Sequence, residues 1–128
     1  MRLRVATIVF AVGFAAHQLD HVRRGYGDVD DGVIVGRTVA AMLVAVLFTL
    51  VAIEHRWAPQ SAVIVGLIVI VGLVIVRVVP PFGLPSDHLG ADGIDAVTWL
   101  VVLFELVGAV VVVVAGLRAG RQSPAYQS

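Results

Sequence analysis

The chain has 128 residues, 59% of them hydrophobic and 14% charged, and its net charge is zero. Ordinary globular chains run at about 45–50% apolar and about 25% charged, and a small soluble domain exposes too much surface to manage on so little charge. That excludes a soluble domain, and the missing basic run excludes nucleic-acid binding. The absence of cysteine excludes disulfides and thiolate metal sites. A single integral membrane domain over residues 1–128 is expected, with the lipid bilayer as its partner.

Met1-Arg2-Leu3-Arg4 leads into an apolar run ending at Ala15-Ala16. This also fits the basic and apolar regions of a signal peptide, but neither Ala11-Val12-Gly13 nor Phe14-Ala15-Ala16 makes a good small-x-small cleavage site. Residues 5–22 are therefore expected to stay as a first span. Its end carries Ala16-His17-Gln18-Leu19-Asp20-His21-Val22-Arg23-Arg24. After a Gly/Asp-rich loop, residues 33–53 form a second span with Arg37 one turn inside. Gly36 with Ala40, and Ala41 with Ala45, are small-xxx-small pairs that would admit a neighbouring helix closely.

Glu54-His55-Arg56-Trp57-Ala58-Pro59 reads as a tight turn, with Trp57 suited to the membrane interface. Residues 61–79 form the third span, ending near Arg77. Valine is a mediocre helix former in water, but in lipid every backbone group must bond internally, so such a run is helical. Pro80-Pro81-Phe82-Gly83-Leu84-Pro85 stops it. An acidic loop follows, in which Asp92 or Gly93 is expected to cap a fourth span over residues 94–117.

The fold expected is all-α, a four-helix transmembrane bundle running up-down-up-down with both termini on one side. Arg2, Arg4, Arg56, Arg118 and Arg121 fall on the terminal side. The positive-inside rule then makes both termini cytoplasmic. The size, the four spans and the Val/Ala/Arg-rich composition resemble those of small bacterial inner-membrane proteins, which implies a multi-pass bacterial-type plasma-membrane location.

This topology gathers His17, Asp20, His21, Arg37, Arg77, His88 and Asp95 at the extracytoplasmic ends of the spans. His17, Asp20 and His21 stand at i, i+3 and i+4 and so share one helix face. One reading is a divalent-metal site. His17 and His21 reach one ion, Asp20 acts as ligand or orienter, and His88 or Asp95 completes the sphere; zinc, copper or iron would suit nitrogen and oxygen donors. The plainer reading has Asp20 pairing with Arg23 or Arg24 and His17 bonding a neighbouring helix.

Glu105 is the second anomaly, roughly 16 Å below the outer end of its span at 1.5 Å per residue. A carboxylate at that depth must face the bundle interior and be paired or protonated. Asp95, Thr98, Val102 and Glu105 lie within about 80° on a helical wheel. They predict a polar stripe forming a water-accessible well, with Glu105, Thr98, Arg37 and Arg77 serving a proton or a polar solute. The alternative is a non-enzymatic subunit or small transporter, a homo-oligomer or part of a larger membrane complex, assembled through Glu105 and the Arg/Asp/His cluster. No serine or threonine sits in a recognisable nucleophile–base motif, so no catalytic residue is named. Enzyme, transporter and structural subunit all stay open.

Overall fold

The computed structural model describes residues 2–25, 31–77 and 95–122, the side chain of Val33 excepted. These residues form four antiparallel α-helices and no strand: α1 (Leu3–Arg24), α2 (Asp31–Ala52), α3 (Ala58–Arg77) and α4 (Ala96–Arg121). Their 20 to 26 residues correspond to about 30–39 Å, enough to cross a hydrocarbon layer of about 30 Å. All four are long and apolar enough to be membrane spans.

Local chemistry sets the helix ends. α1 runs two residues past its expected end because His21, Arg23 and Arg24 suit the negative end of the helix dipole, and Gly25 (φ 84°) then breaks it. α2 starts two residues early on Asp31, which favours the positive end. Beyond Ala52 the chain reverses through Glu54, whose φ of 53° lies in the left-handed region. The His55 amide donates to the Leu50 carbonyl at 2.9 Å and closes the last turn. Pro59 sits in the first turn of α3, where its missing N–H costs nothing. The cap of α4 is Asp95, three residues beyond the expected Asp92, because its carboxylate accepts from the Thr98 amide.

α4 is the hub, packed along its length against α1 on one side and α3 on the other. Glycine makes both contacts close. A Cβ placed on Gly13 of α1 would lie 3.1 Å from the Glu105 Cα, and one on Gly108 of α4 would lie 2.9 Å from the Phe10 Cα. Toward α3, a Cβ on Gly116 would meet the Pro59 carbonyl oxygen at 2.7 Å, and one on Gly66 a Val113 methyl at 2.5 Å. Lipid tails are as apolar as leucine, so these helices associate through such close packing rather than through escape from water. Phe10, Leu47, Ala62, Ala109 and Val112 form the fully buried centre.

Of the small-xxx-small pairs expected to bring α2 against a neighbour, only Ala40 packs against the core. Ala41 and Ala45 are exposed, and a Cβ on Gly36 would meet nothing within 4 Å. α2 buries Val44, Leu47 and Val51, all in its inner half. Its outer half, among the described side chains, buries none. α2 therefore stands off the bundle toward the outer end and leaves a cleft against α1 and α3.

Overpacking the tight contacts should cost stability, whereas filling the loose one should not. Gly108→Ala and Gly116→Ala are each expected to lower the unfolding free energy by about 1–3 kcal/mol. Gly36→Ala is expected to raise it by up to about 1 kcal/mol through helix propensity alone. Denaturant-induced unfolding in detergent, followed by circular dichroism, compares the three.

Candidate functional site

The buried face of α1 runs Ala6, Thr7, Phe10, Gly13, Phe14, His17, Asp20, His21. The polar trio continues the apolar stripe, so packing Phe10 and Phe14 inward carries His17, Asp20 and His21 in as well. On α4 the buried face runs Thr98, Val102, Glu105, Gly108, Ala109 and Val112. The two polar ends meet.

Asp20, 4% exposed, is held from three directions. Thr98 Oγ1 donates to its Oδ2 at 2.7 Å, Arg23 Nε to its Oδ1 at 2.9 Å, and Arg24 Nε to its Oδ2 at 3.2 Å. Its lone pairs are committed, and it ties α1 to α4 with its charge balanced. At the rim, Arg23 Nη2 also reaches Asp95 Oδ1 at 2.9 Å. The Thr98 amide and the Arg23 guanidinium hold the Asp95 carboxyl below its usual value.

One turn deeper lies the second layer. Glu105, 2% exposed at mid-helix, bonds His17 Nδ1. On the other edge of that imidazole, Arg77 Nη2 donates to Nε2 at 2.7 Å, and His21 Nε2 lies 3.1 Å away. Arg77 Nη2 is also 3.0 Å from His21 Nε2, while Arg24 Nη2 lies 3.1 Å from His21 Nδ1. For His17 the partners assign the proton. Glu105 accepts from His17 Nδ1–H, which leaves His17 Nε2 as the acceptor for Arg77. Both nitrogens of His21 face guanidinium donors, Arg24 at Nδ1 and Arg77 at Nε2, so its partners do not single out one tautomer. The result is a buried chain in which a neutral imidazole separates a carboxylate from a guanidinium, and each charge finds a partner it needs in a medium of low dielectric.

The predicted site residues divide as follows. His17, Asp20, His21, Arg77, Thr98 and Glu105 come together. Arg37 joins by another route, donating through Nη2 and Nε to Gln18 Oε1 at 2.6 and 3.1 Å, which ties α2 to α1. Asp95 caps α4 and pairs with Arg23 rather than turning to the imidazoles. His88 lies outside the described residues. Among those described, no group of three or more His, Asp or Glu side chains is arranged to hold a metal ion.

The upper part of the α4 stripe is closed, because Asp20 of α1 sits over the fully buried Thr98, while Glu105 reaches an open cleft beside His17. The open volume extends from there toward α2. It is a cleft of about 490 Å³ between α1, α2 and α3, lined by Phe14, Ile68 and Leu73 and by His17, Arg37 and Arg77. Gln18 and Gly13 were missed in the sequence. Gly13 carried a signal, since it stands one turn before His17 and has no side chain to keep α4 away.

Fold and site together define a class: a four-helix protein with helices fit to cross a bilayer and a buried Glu–His–Arg network near one end. Comparison with protein-family models, curated proteins and solved structures gives no match to this chain.

The lowered Asp95 titration carries a sign. A carboxyl whose folded-state pKa is depressed stabilises the fold above its unfolded value of about 3.9, and that contribution fades as pH falls through the folded value. Asp95→Ala should therefore melt below the wild type at neutral pH, with the gap closing once the pH drops below about 4. Melting temperatures from pH 7 to pH 3 read this directly.

Proposed function

We propose that this is a small integral membrane protein whose outer half holds a proton-exchanging binding site for a polar solute. The observation behind this reading is the buried contact chain Glu105–His17–Arg77 on the wall of an open cleft. A structural ion pair alone needs no cleft beside it. A binding site needs a donor that changes partners, and Arg77 supplies one.

The working step follows from the hydrogen bonds. An oxygen of the solute accepts from Arg77, which releases His17 Nε2. That nitrogen then takes up a proton, and the Glu105 carboxylate on Nδ1 balances the new positive charge. Solute entry and proton uptake are thereby linked. Among the described residues, His21, Arg24 and Asp20 on α1, Arg77 on α3, Glu105 on α4 and Arg37 through Gln18 are the charged and titratable groups around this imidazole. The location that goes with this reading is a bacterial-type plasma membrane with cytoplasmic termini, which active cytoplasmic reporters fused at the C-terminus would support.

A divalent metal, zinc, copper or iron, is the second reading. The His17 and His21 Nε2 atoms converge at 3.1 Å, and a carboxylate sits behind His17 as it does behind many metal-bound imidazoles. It comes second because the Arg77 guanidinium, 2.7 and 3.0 Å from the two nitrogens, puts a fixed cation where the ion would sit. Assembly of copies through Glu105 is disfavoured, since its partner is His17 of the same chain.

Proton NMR of the protein in micelles tests the network. A low-field His17 Nδ1 proton is expected in the wild type and should vanish in Glu105→Gln; its absence from the wild type overturns the reading. Glu105→Ala, which leaves a buried N–H without an acceptor, should cost about 1–3 kcal/mol of stability. Elemental analysis after chelator-free purification should find no near-stoichiometric metal. Metal that is present and lost in the joint His17→Ala, His21→Ala variant would put the second reading in place of the first.

A further inference from the structure

The inner end of the bundle, where α1 and α3 begin and α4 ends, is strongly positive. Arg2 and Arg4 open α1, Arg56 lies in the turn before α3, and Arg118 and Arg121 stand in the last turn of α4. Packing brings these places together. Arg4 pairs with Glu54 in the turn, and a Cβ on Gly116 or Gly120 of α4 would come within 4 Å of Pro59. All five arginines are exposed. Glu54 is the one acidic residue that accompanies them. The other acids of the sequence are Glu105 at mid-helix and seven aspartates, at the outer helix ends or in the connections between those ends, and residues 123–128 contain none. Arg4 is thus the only one of the five in an ion pair among the described residues, and Arg56 lies over the Trp57 ring, 5.9 Å from its centre.

Helix stability explains only part of this placement. Arg118 and Arg121 suit the negative end of the α4 dipole. Arg2, Arg4 and Arg56 stand at or just before helix N-termini, where positive charge is unfavourable. Depth says what the arginines face. Arg118 is about 33 Å along α4 from Ala96, against about 30 Å of hydrocarbon, so it stands at headgroup level. The exposed Trp57 marks the same level beside α3. Toward the membrane centre from Arg118, an apolar trough of about 230 Å³ is lined by Val110, Val111, Val114 and Ala115.

From this arrangement we propose that the inner end is a binding surface for phospholipids with an anionic headgroup. It is independent of the solute site, which lies at the other end. A zwitterionic headgroup brings its own ammonium and leaves the excess charge in place, whereas an anionic one offsets it. Guanidinium forks match phosphate oxygens, and clusters of about four to eight basic residues beside a span draw anionic lipid. A soluble phosphate has no use for the trough beneath Arg118, which gives an acyl chain an apolar seat. A second copy of the chain would bring the same arginines with only Glu54 to meet them, so like charges would oppose it.

Tryptophan quenching in nanodiscs tests this, because the chain's two tryptophans report opposite ends, Trp57 the inner and Trp99 the outer. The full chain carrying Trp99→Phe is placed in phosphatidylcholine containing a brominated lipid, either phosphatidylglycerol or phosphatidylcholine. Trp57 should be quenched as though phosphatidylglycerol bound about fivefold more tightly. Trp99, read in the Trp57→Phe protein, should show no preference, since the outer end has four arginines to seven aspartates. The joint Arg56→Gln, Arg118→Gln, Arg121→Gln variant should lower the preference at Trp57 to about twofold or less. Arg56→Lys, Arg118→Lys, Arg121→Lys, which keeps the charge, should retain most of it.

Equal quenching of Trp57 by the two lipids overturns the lipid assignment, and two chains per disc in that case would give the surface to a second copy. The same preference at both tryptophans overturns it too, because the effect would not then belong to the inner end. A preference that survives in a folded glutamine variant removes the arginines from it. A preference lost when phosphate replaces chloride at equal ionic strength assigns them to a soluble anion instead.

Discussion

A carboxylate halfway along an apolar helix is the constraint the rest of this bundle answers to. Glu105 cannot face lipid without a large desolvation cost, and it is only 2% exposed. It is settled by His17, 88 positions earlier in the chain. That one contact fixes the rotation of α1 and α4 about their own axes. Once it is set, Asp20 must face Thr98, and His21 must face the end of α3. Arg77 then closes the arrangement from the third helix. The network is a rotational lock as much as a site.

The lock requires the helices to be close, and that is the work of glycine. Gly13 brings the α1 backbone onto Glu105 itself, so the imidazole one turn further out comes within reach of the carboxylate. Gly108, Gly66 and Gly116 continue the close approach down both flanks of α4. In lipid, where apolar burial drives little association, the close packing of small residues and the bonding of a few polar side chains share the task. Here the two are divided along the membrane normal. Glycine and alanine contacts dominate the inner half, and polar bonds dominate the outer end.

α2 is the exception that makes room for function. It is held to the bundle at its inner half by Val44, Leu47 and Val51, and near its outer end by the Arg37–Gln18 bonds. Between them Val39 and Ala40 line the cleft. Three helices are locked around a buried charge chain, and the fourth closes a volume next to it. His17, His21 and Arg77 all line that volume.

The sequence alone determined the four helices, their antiparallel order and the residues too costly to leave in lipid. Helix number follows from runs of about twenty apolar residues. The shared face of His17, Asp20 and His21, and that of Thr98 and Glu105, follow from the 3.6-residue period. Asp20 pairing with Arg23 and Arg24 was one of two open readings, and it is the arrangement found. Only the tertiary structure decided that Glu105 meets His17, that a guanidinium stands between the two imidazoles, and that the open space extends toward α2. The reason is physical: periodicity along a helix is a local property, written residue by residue. The rotation and separation of helices depend on small-residue contacts spread over the whole bundle, and no single stretch of chain contains them.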